Sequence, residues 1–434
     1  MFAYYLDLAL RSLRRSPVLT SLMVLAIGLG IGASMTMLTV LHVMTRDPLP
    51  ELSAQLYYPH LDPLPANYPS HNEWGDPSDN FTWPDAMALL KAHRADQQAA
   101  MAGGRVLAWP VQAGRMPFRV GGRYATAGFF ELFGLRFEQG RGWTAADDEA
   151  RARLVVLSHA LAMKLFGRTD VVGRTVRLGD ARFQVTGVTA DWAPQPQFYA
   201  DGSGRGNYGE SDRFFLPLAT ALDLDLSVSG NQASWKEGGR TSGNYTWLQV
   251  WVRLKDAAQA RAYRQFLVDY SASQQKLGRF ERPPGNAALY PMMGWLAHQK
   301  LVPNDLRLQL WLALGFLVVC LVNIVALLLA KFLRRSGEVS VRRALGARRR
   351  DIFVQFGVEA ALVGSLGGLL GVAIAQAGLW SVRQRPDSYA HVARMDLSML
   401  ALTVLLAIAG SLLAGMLPAW RASRVAPALQ LKAQ

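Results

Sequence analysis

Four stretches of this 434-residue chain contain no Asp, Glu, Lys or Arg: 16–45, 308–330, 360–382 and 397–420. Each exceeds the roughly 20 residues needed to cross about 30 Å of hydrocarbon. The pattern therefore predicts four transmembrane helices, at 17–45, 308–330, 352–382 and 397–420. Ahead of the first, Phe2, Tyr5, Leu6, Ala9, Leu10 and Leu13 recur at helical spacing and Arg11, Arg14 and Arg15 follow. This spacing reads as an amphipathic helix over 1–16, lying on the inner leaflet and turning into the membrane near Pro17. An unstructured basic tail is the alternative.

Between the first and second spans the periodicity changes. Residues 46–112 are rich in Pro and Trp, with a helical piece from Trp83 to His93. From Phe118 to Val188, short alternating runs broken by glycine (RLVVLSHALAMKLFG, VVGRTVRLG, ARFQVTGV) predict strands, with Gly179 and Asp180 in a tight turn. DGSGRGNYG and KEGGRTSGN within 200–245 read as polar loops. WLQVWVRL (247–254) reads as an alternating strand and Ala257 to Gln275 as a helix. The fold class expected is an α-helical membrane protein with a large mixed α/β extracytoplasmic domain between its first and second spans. Within that domain, 46–112 and about 246–307 form a larger lobe, into which a β-rich lobe at about 113–245 is inserted.

Charge sets the orientation. The net charge of +14 is not spread over the large domain, where 29 basic residues face 26 acidic ones between Arg46 and Arg307. It gathers beside the spans, which marks topology rather than nucleic-acid binding. Eight Lys and Arg residues lie in the 331–351 loop, so that loop, the N-terminus and the 421–434 tail are expected in the cytoplasm. Residues 46–307 and the 383–396 loop are then outside. The basic loop also has an apolar stripe. Glu338, Val339, Val341, Arg342, Ala344 and Leu345 read as a short amphipathic helix that Gly346 would stop. An anchor needs charge alone, whereas a loop that docks on a cytoplasmic partner needs both. Inside the spans, Gly28 and Gly32 in the first, and Gly364 and Gly368 in the third, permit close backbone approach. Four spans do not readily enclose a route across the membrane, which implies two subunits side by side.

Several chemistries are missing. No G-x-x-x-x-G-K-[ST] occurs, so no standard phosphate loop is present. No G-x-S-x-G elbow, H-E-x-x-H or cysteine pair occurs, and Cys320 is the only cysteine. His60 and His71, near Asp62, Glu73 and Asp76, read as a solvated polar surface rather than a metal site. Glu359, at the start of the third span, is expected to form an ion pair at the inner interface rather than serve as a proton relay. Neither a metal nor a catalytic residue is expected in the chain.

Three segments resemble the FtsX/MacB-like permeases of ATP-binding-cassette systems. They are RRSGEVSVRRALGARRRDIFVQFGVEA (334–360), GMLPAWRASRVAPALQLK (415–432) with Pro418, Trp420 and Arg421 at its core, and the 120–188 region of the large domain. The resemblance implies the type VII transmembrane architecture. The 337–350 helix would then be a coupling helix seated in an ATPase groove, with Glu338, Val341, Arg342, Arg343, Leu345 and Gly346 as coupling residues. MacB carries its ATPase fused at the N-terminus, and here the interfacial helix begins at Met1. The expected partners are therefore a separate ATPase holding ATP and magnesium, a second permease subunit of the same or a related kind, membrane lipid and a periplasmic adaptor. The location implied is a bacterial inner membrane. The leading expectation is a non-catalytic permease subunit for export of a small hydrophobic or peptide substrate. Lipoprotein release or mechanotransmission to an envelope enzyme is the alternative, and a membrane-anchored ligand sensor is the reading from another class. An anchoring scaffold would leave the patterned loop unexplained.

Overall fold

The computed structural model describes residues 2–69, 76–111, 114–200, 208–300, 304–334, 337, 339, 341–342, 345–384, 395 and 397–423. The chain divides into two compact units, one of residues 1–45 with 302–434 and one of residues 46–301.

In the first unit, four helices among the described residues are long and apolar enough to cross a membrane. Span 1 is Pro17–Thr45, with proline at its first position, where a missing N–H costs least. Span 2 is the apolar part, Leu308–Phe332, of the helix Asn304–Arg334. Span 3 lies in Arg349–Arg383, and span 4 is Leu397–Trp420 of the helix Leu397–Ser423. The N-terminal helix Phe2–Arg15 precedes them, with Ala9, Ser12 and Leu13 buried and Tyr4 and Leu10 exposed. Its amphipathic spacing thus has an inward face, supported by an Asp7–Arg11 ion pair of 2.7 Å on the outward one.

Glycine sets how closely the spans approach. A Cβ built on Gly28 would sit 2.8 Å from the Leu370 side chain, and one on Gly32 would sit 3.0 Å from the Gly371 carbonyl. Both lie against span 3. Gly364 and Gly368 face span 4 instead, where added Cβ atoms would come within 2.9 Å of the Ala407 carbonyl and the Ala407 Cβ respectively. Span 3 is therefore clasped on two sides. Lipid offers no hydrophobic drive for helix association, so such close van der Waals contact supplies it. Ser34 Oγ adds a bond to the Ala313 carbonyl of span 2 at 3.0 Å.

The second unit is built on one mixed sheet. Among the described residues its strands are β1 (Leu56–His60), β2 (Phe81–Thr82), β3 (Gln97–Trp109), β4 (Phe118–Ala125), β5 (Phe137–Gly140), β6 (Leu154–Ser158), β7 (Thr175–Leu178), β8 (Ala181–Thr189), β9 (Phe214–Pro217), β10 (Val228–Ser229), β11 (Ala233–Ser234), β12 (Tyr245–Arg253) and β13 (Ala288–Pro291). Its main path runs β13-β1-β12-β3-β4-β9-β6-β8-β5. The β4–β9 and β6–β8 pairs are parallel and the other neighbours on this path antiparallel. The long β3–β4 pairing, from Met101–Ala125 to Ala108–Phe118, carries one sheet through the regions expected as two lobes. Trp251, Tyr58, Trp295, Phe129, Phe133 and Tyr199 fill its core.

Two expectations change here. RLVVLSHALAMKLFG is not strand throughout: β6 ends at Ser158, whose hydroxyl accepts from Leu161 N and caps the helix His159–Phe166. Gly167, at a φ of 75°, closes that helix. β12 does not alternate, because residues Thr246–Val252 are all buried, paired with β2 and β11 at the start of the strand and with β3 and β1 towards its end. β9, between the two stretches expected as polar loops, is a fully buried strand between β4 and β6. The turn at Gly179–Asp180 joins β7 to β8, with Gly179 at a φ of 60°.

The glycine contacts give a direct comparison. Gly364→Leu should lower the melting temperature in detergent, since overpacking costs about 1–3 kcal/mol or more against backbone. Gly315→Leu, with nothing within 4 Å of an added Cβ, should leave the melting temperature at or above the parent value. Equal effects would contradict the packing described.

Candidate functional site

The 331–351 loop leaves span 2 and returns into span 3. Its described backbone is helical at 337, 339, 341 and 342. The helix closes at Gly346, whose φ is 102°, with Ala347 N donating to the Arg342 carbonyl at 3.0 Å across it. This is the glycine stop that its sequence position suggested. Val339 is buried in the membrane unit's core together with Leu13, Phe332, Ile352 and Phe356. Val341 and Leu345 point the other way and are 56% and 83% exposed. Arg342 Nη1 donates to Gln355 Oε1 at 3.0 Å, tying the loop to the following helix. That helix starts where Asp351 Oδ2 accepts from Arg348 N at 3.1 Å. Glu338 and Arg343 lie outside the described residues.

Below the loop lies a buried polar cluster. Lys331 Nζ is 2.6 Å from Glu359 Oε1, and Ser12 Oγ donates to the same oxygen at 2.5 Å. Lys331, Glu359 and Ser12 are at most 3% exposed. The ion pair expected of Glu359 is thus formed with Lys331, which the charge pattern had counted only as a topology residue. Ser12 was missed, because nothing in its local sequence sets it apart from a helix-surface serine. Next to the cluster, the Phe332 and Phe356 rings stack at 4.0 Å.

The C-terminal motif is helical. Pro418 lies inside Leu397–Ser423 and is buried beside Ala419, while Trp420 is 47% exposed and Arg421 continues the helix. Residues 424–434 and most of the 383–396 loop lie outside the described residues.

In the large domain, His60 and Asp62 are buried, which overturns the solvated-surface expectation for them. The partners come from far along the chain. Arg282 Nη1 meets Asp62 at 3.1 Å, Asn286 Nδ2 donates to Asp62 at 2.8 Å, and His60 Nδ1 donates to the Asn286 carbonyl at 3.3 Å. Asp79 Oδ1 lies 3.1 Å from His298 Nε2 and 3.8 Å from His60 Nε2. Burial pushes the His60 pKa down, whereas the hydrogen bond to Asp79 pulls that of His298 up. His71 and Glu73 lie outside the described residues. Among the described residues no three His, Cys, Asp or Glu side chains gather as a metal site would require.

Four helices long and apolar enough to cross a membrane, with a large mixed α/β domain between the first and second, define a membrane protein. The comparisons name the family. A match to the MacB-like periplasmic core domain covers residues 20–269, and one to the FtsX-like permease C-terminal region covers 311–427. The chain belongs to the FtsX/MacB-like permeases of ATP-binding-cassette systems.

Among relatives, it is 27% identical over 307 residues to the macrolide export ATP-binding/permease protein MacB 1/2 of Paracoccus denitrificans, covering 70% of this chain and 40% of that protein. It is 26% identical to the pyoverdine export ATP-binding/permease protein PvdT of Pseudomonas aeruginosa, covering 61% and 37%. The chain therefore spans about two fifths of the length of these curated relatives. The periplasmic region of MacB from Actinobacillus actinomycetemcomitans aligns over 57% of this chain and 94% of its own, at 16% identity and a TM-score of 0.38.

The His298–Asp79 contact has a testable sign. A raised folded-state pKa means that the contact stabilises fully below the unfolded histidine value near 6.5 and stops doing so as pH rises through the folded value. His298→Gln should therefore lower the melting temperature most at acidic pH, and the difference from the parent should shrink towards pH 8. A difference that grows with pH would contradict the assignment.

Proposed function

We propose that this chain is the permease subunit of an ATP-binding-cassette complex whose ATPase is a separate polypeptide. Val341 and Leu345 carry the reading. They form an apolar pair exposed on a short basic helix whose opposite side, through Val339, is anchored in the membrane core. Apolar side chains held out beside cationic ones suit a groove that is apolar at its floor and acidic at its rim. Glu338, Arg342, Arg343 and Gly346 are the other coupling residues of this reading. ATP and magnesium are held by the partner. Closure of the ATPase dimer draws two coupling helices together, the spans tilt, and the extracytoplasmic domain moves. Two permease subunits, identical or related, flank the axis in a bacterial inner membrane, with the large domain on the periplasmic side.

The work done outside is export of a small hydrophobic or peptide substrate. Relatives named for macrolide and pyoverdine export support this choice. In the extracytoplasmic domain, an open cleft of ≈ 790 Å³ between Pro65, Tyr68 and Pro69 on one wall and Trp235 and Lys236 on the other offers an aromatic surface for such a molecule. Arg282 stiffens its first wall by donating to the Pro65 and Tyr68 carbonyls at 3.1 and 2.6 Å.

Replacing both Val341 and Leu345 by Asp would bury uncompensated charge in the groove, at a cost of several kcal/mol. Each 1.4 kcal/mol or so is tenfold in affinity, so the complex should come apart in detergent while the chain still inserts normally. Retention of the ATPase and of function by this variant would refute the coupling assignment. A histidine kinase captured in place of an ATPase would favour a sensor.

Orientation is checked separately. With Cys320 replaced, a cysteine at position 348 should resist an impermeant thiol reagent added to intact cells and react after permeabilisation. Labelling from outside would invert the topology.

A further inference from the structure

Lys331 and Glu359 place two opposite charges where water is scarce, at the inner ends of spans 2 and 3. Removing such groups from water is costly, and an apolar pair of similar volume is often as stable or more so. Stability alone therefore does not account for the pair. What apolar contacts would not supply is register, since they tolerate sliding of one helix along another, whereas an ion pair with a shared hydrogen bond does not.

The cluster joins three helices at the root of the exposed loop. Lys331 lies in the last turn of the helix that enters the loop, Glu359 belongs to the helix that leaves it, and Ser12 lies on the N-terminal helix. The Phe332–Phe356 stack and the Arg342–Gln355 bond brace the same junction from the loop side.

We propose that Glu359 is a positioning residue. It locks the axial register of both loop stems and of the N-terminal helix, so that displacement of the loop is carried into spans 2 and 3 and into the N-terminal helix instead of being absorbed at the root. The coupling role rests on the permease reading above. The positioning role belongs to the chain alone.

The test uses the full chain in lipid nanodiscs, with Cys320 replaced and spin labels at positions 4 and 348, where Tyr4 and Arg348 are exposed. Pulsed dipolar spectroscopy should give one narrow distance. Lys331→Met with Glu359→Leu leaves no stranded charge and should melt at or above the parent temperature, yet lose the narrow peak. A narrow peak retained in that variant overturns the proposal, whether or not any ATPase has been captured. Failure of the parent chain to bind an ATPase would sink the permease reading and leave this result standing. Should the double variant not fold, Ser12→Ala decides: a broadened peak supports the lock, and an unchanged one contradicts it.

Discussion

The membrane unit depends on how closely helix backbones approach span 3. Gly28 and Gly32 on one side, and Gly364 and Gly368 on the other, leave no room for a Cβ at the contacts they make. Helices held that tightly cannot draw apart, but packing alone does not fix the axial register between spans 2 and 3. Register in turn decides whether Glu359 meets Lys331 or is stranded in a low-dielectric interior, where an unpaired charge is heavily penalised. The glycine contacts thus set the distance between helices, and the ion pair sets their register. The exposed loop inherits its placement from both.

This arrangement separates a rigid part from a presenting part. Val339, Phe332 and Phe356 fix the loop's inner side, and the Gly346 turn and the Arg348–Asp351 contact fix where the next helix begins. Val341 and Leu345 are then left outward and exposed. An exposed Leu in a soluble loop needs no special explanation. Two apolar side chains held on the outer side of a short, braced, basic helix do.

Much of this was legible in the sequence, for a physical reason. Membrane spans are written as uninterrupted apolar composition, and the loop as charge between them, so both need only local reading. Burial in the large domain does not work that way. His60 and Asp62 sit in a Pro-rich polar stretch, and their burial relies on Arg282 and Asn286, over 200 positions away, together with Ser78 and Asp79 beside His60. β9 is four residues long and owes its place to β4 and β6 rather than to its own pattern. The helix His159–Phe166 was different. Its Ser158 cap and Gly167 stop were both readable, and the strand-like VVL run ahead of it masked them. Glu359 was marked by its rarity near a span, but Ser12, with which it shares a hydrogen bond, carried no such mark.

The central claim is that the outward side of the loop between spans 2 and 3, at Val341 and Leu345, meets an ATPase. A photo-crosslinking amino acid at position 345, activated in living cells, reports on that contact without purification. The account predicts an adduct with an ATP-binding-cassette ATPase from position 345 and none from position 339, whose side chain faces the membrane core. An adduct with no such ATPase at position 345, under conditions in which the chain is functional, would contradict it.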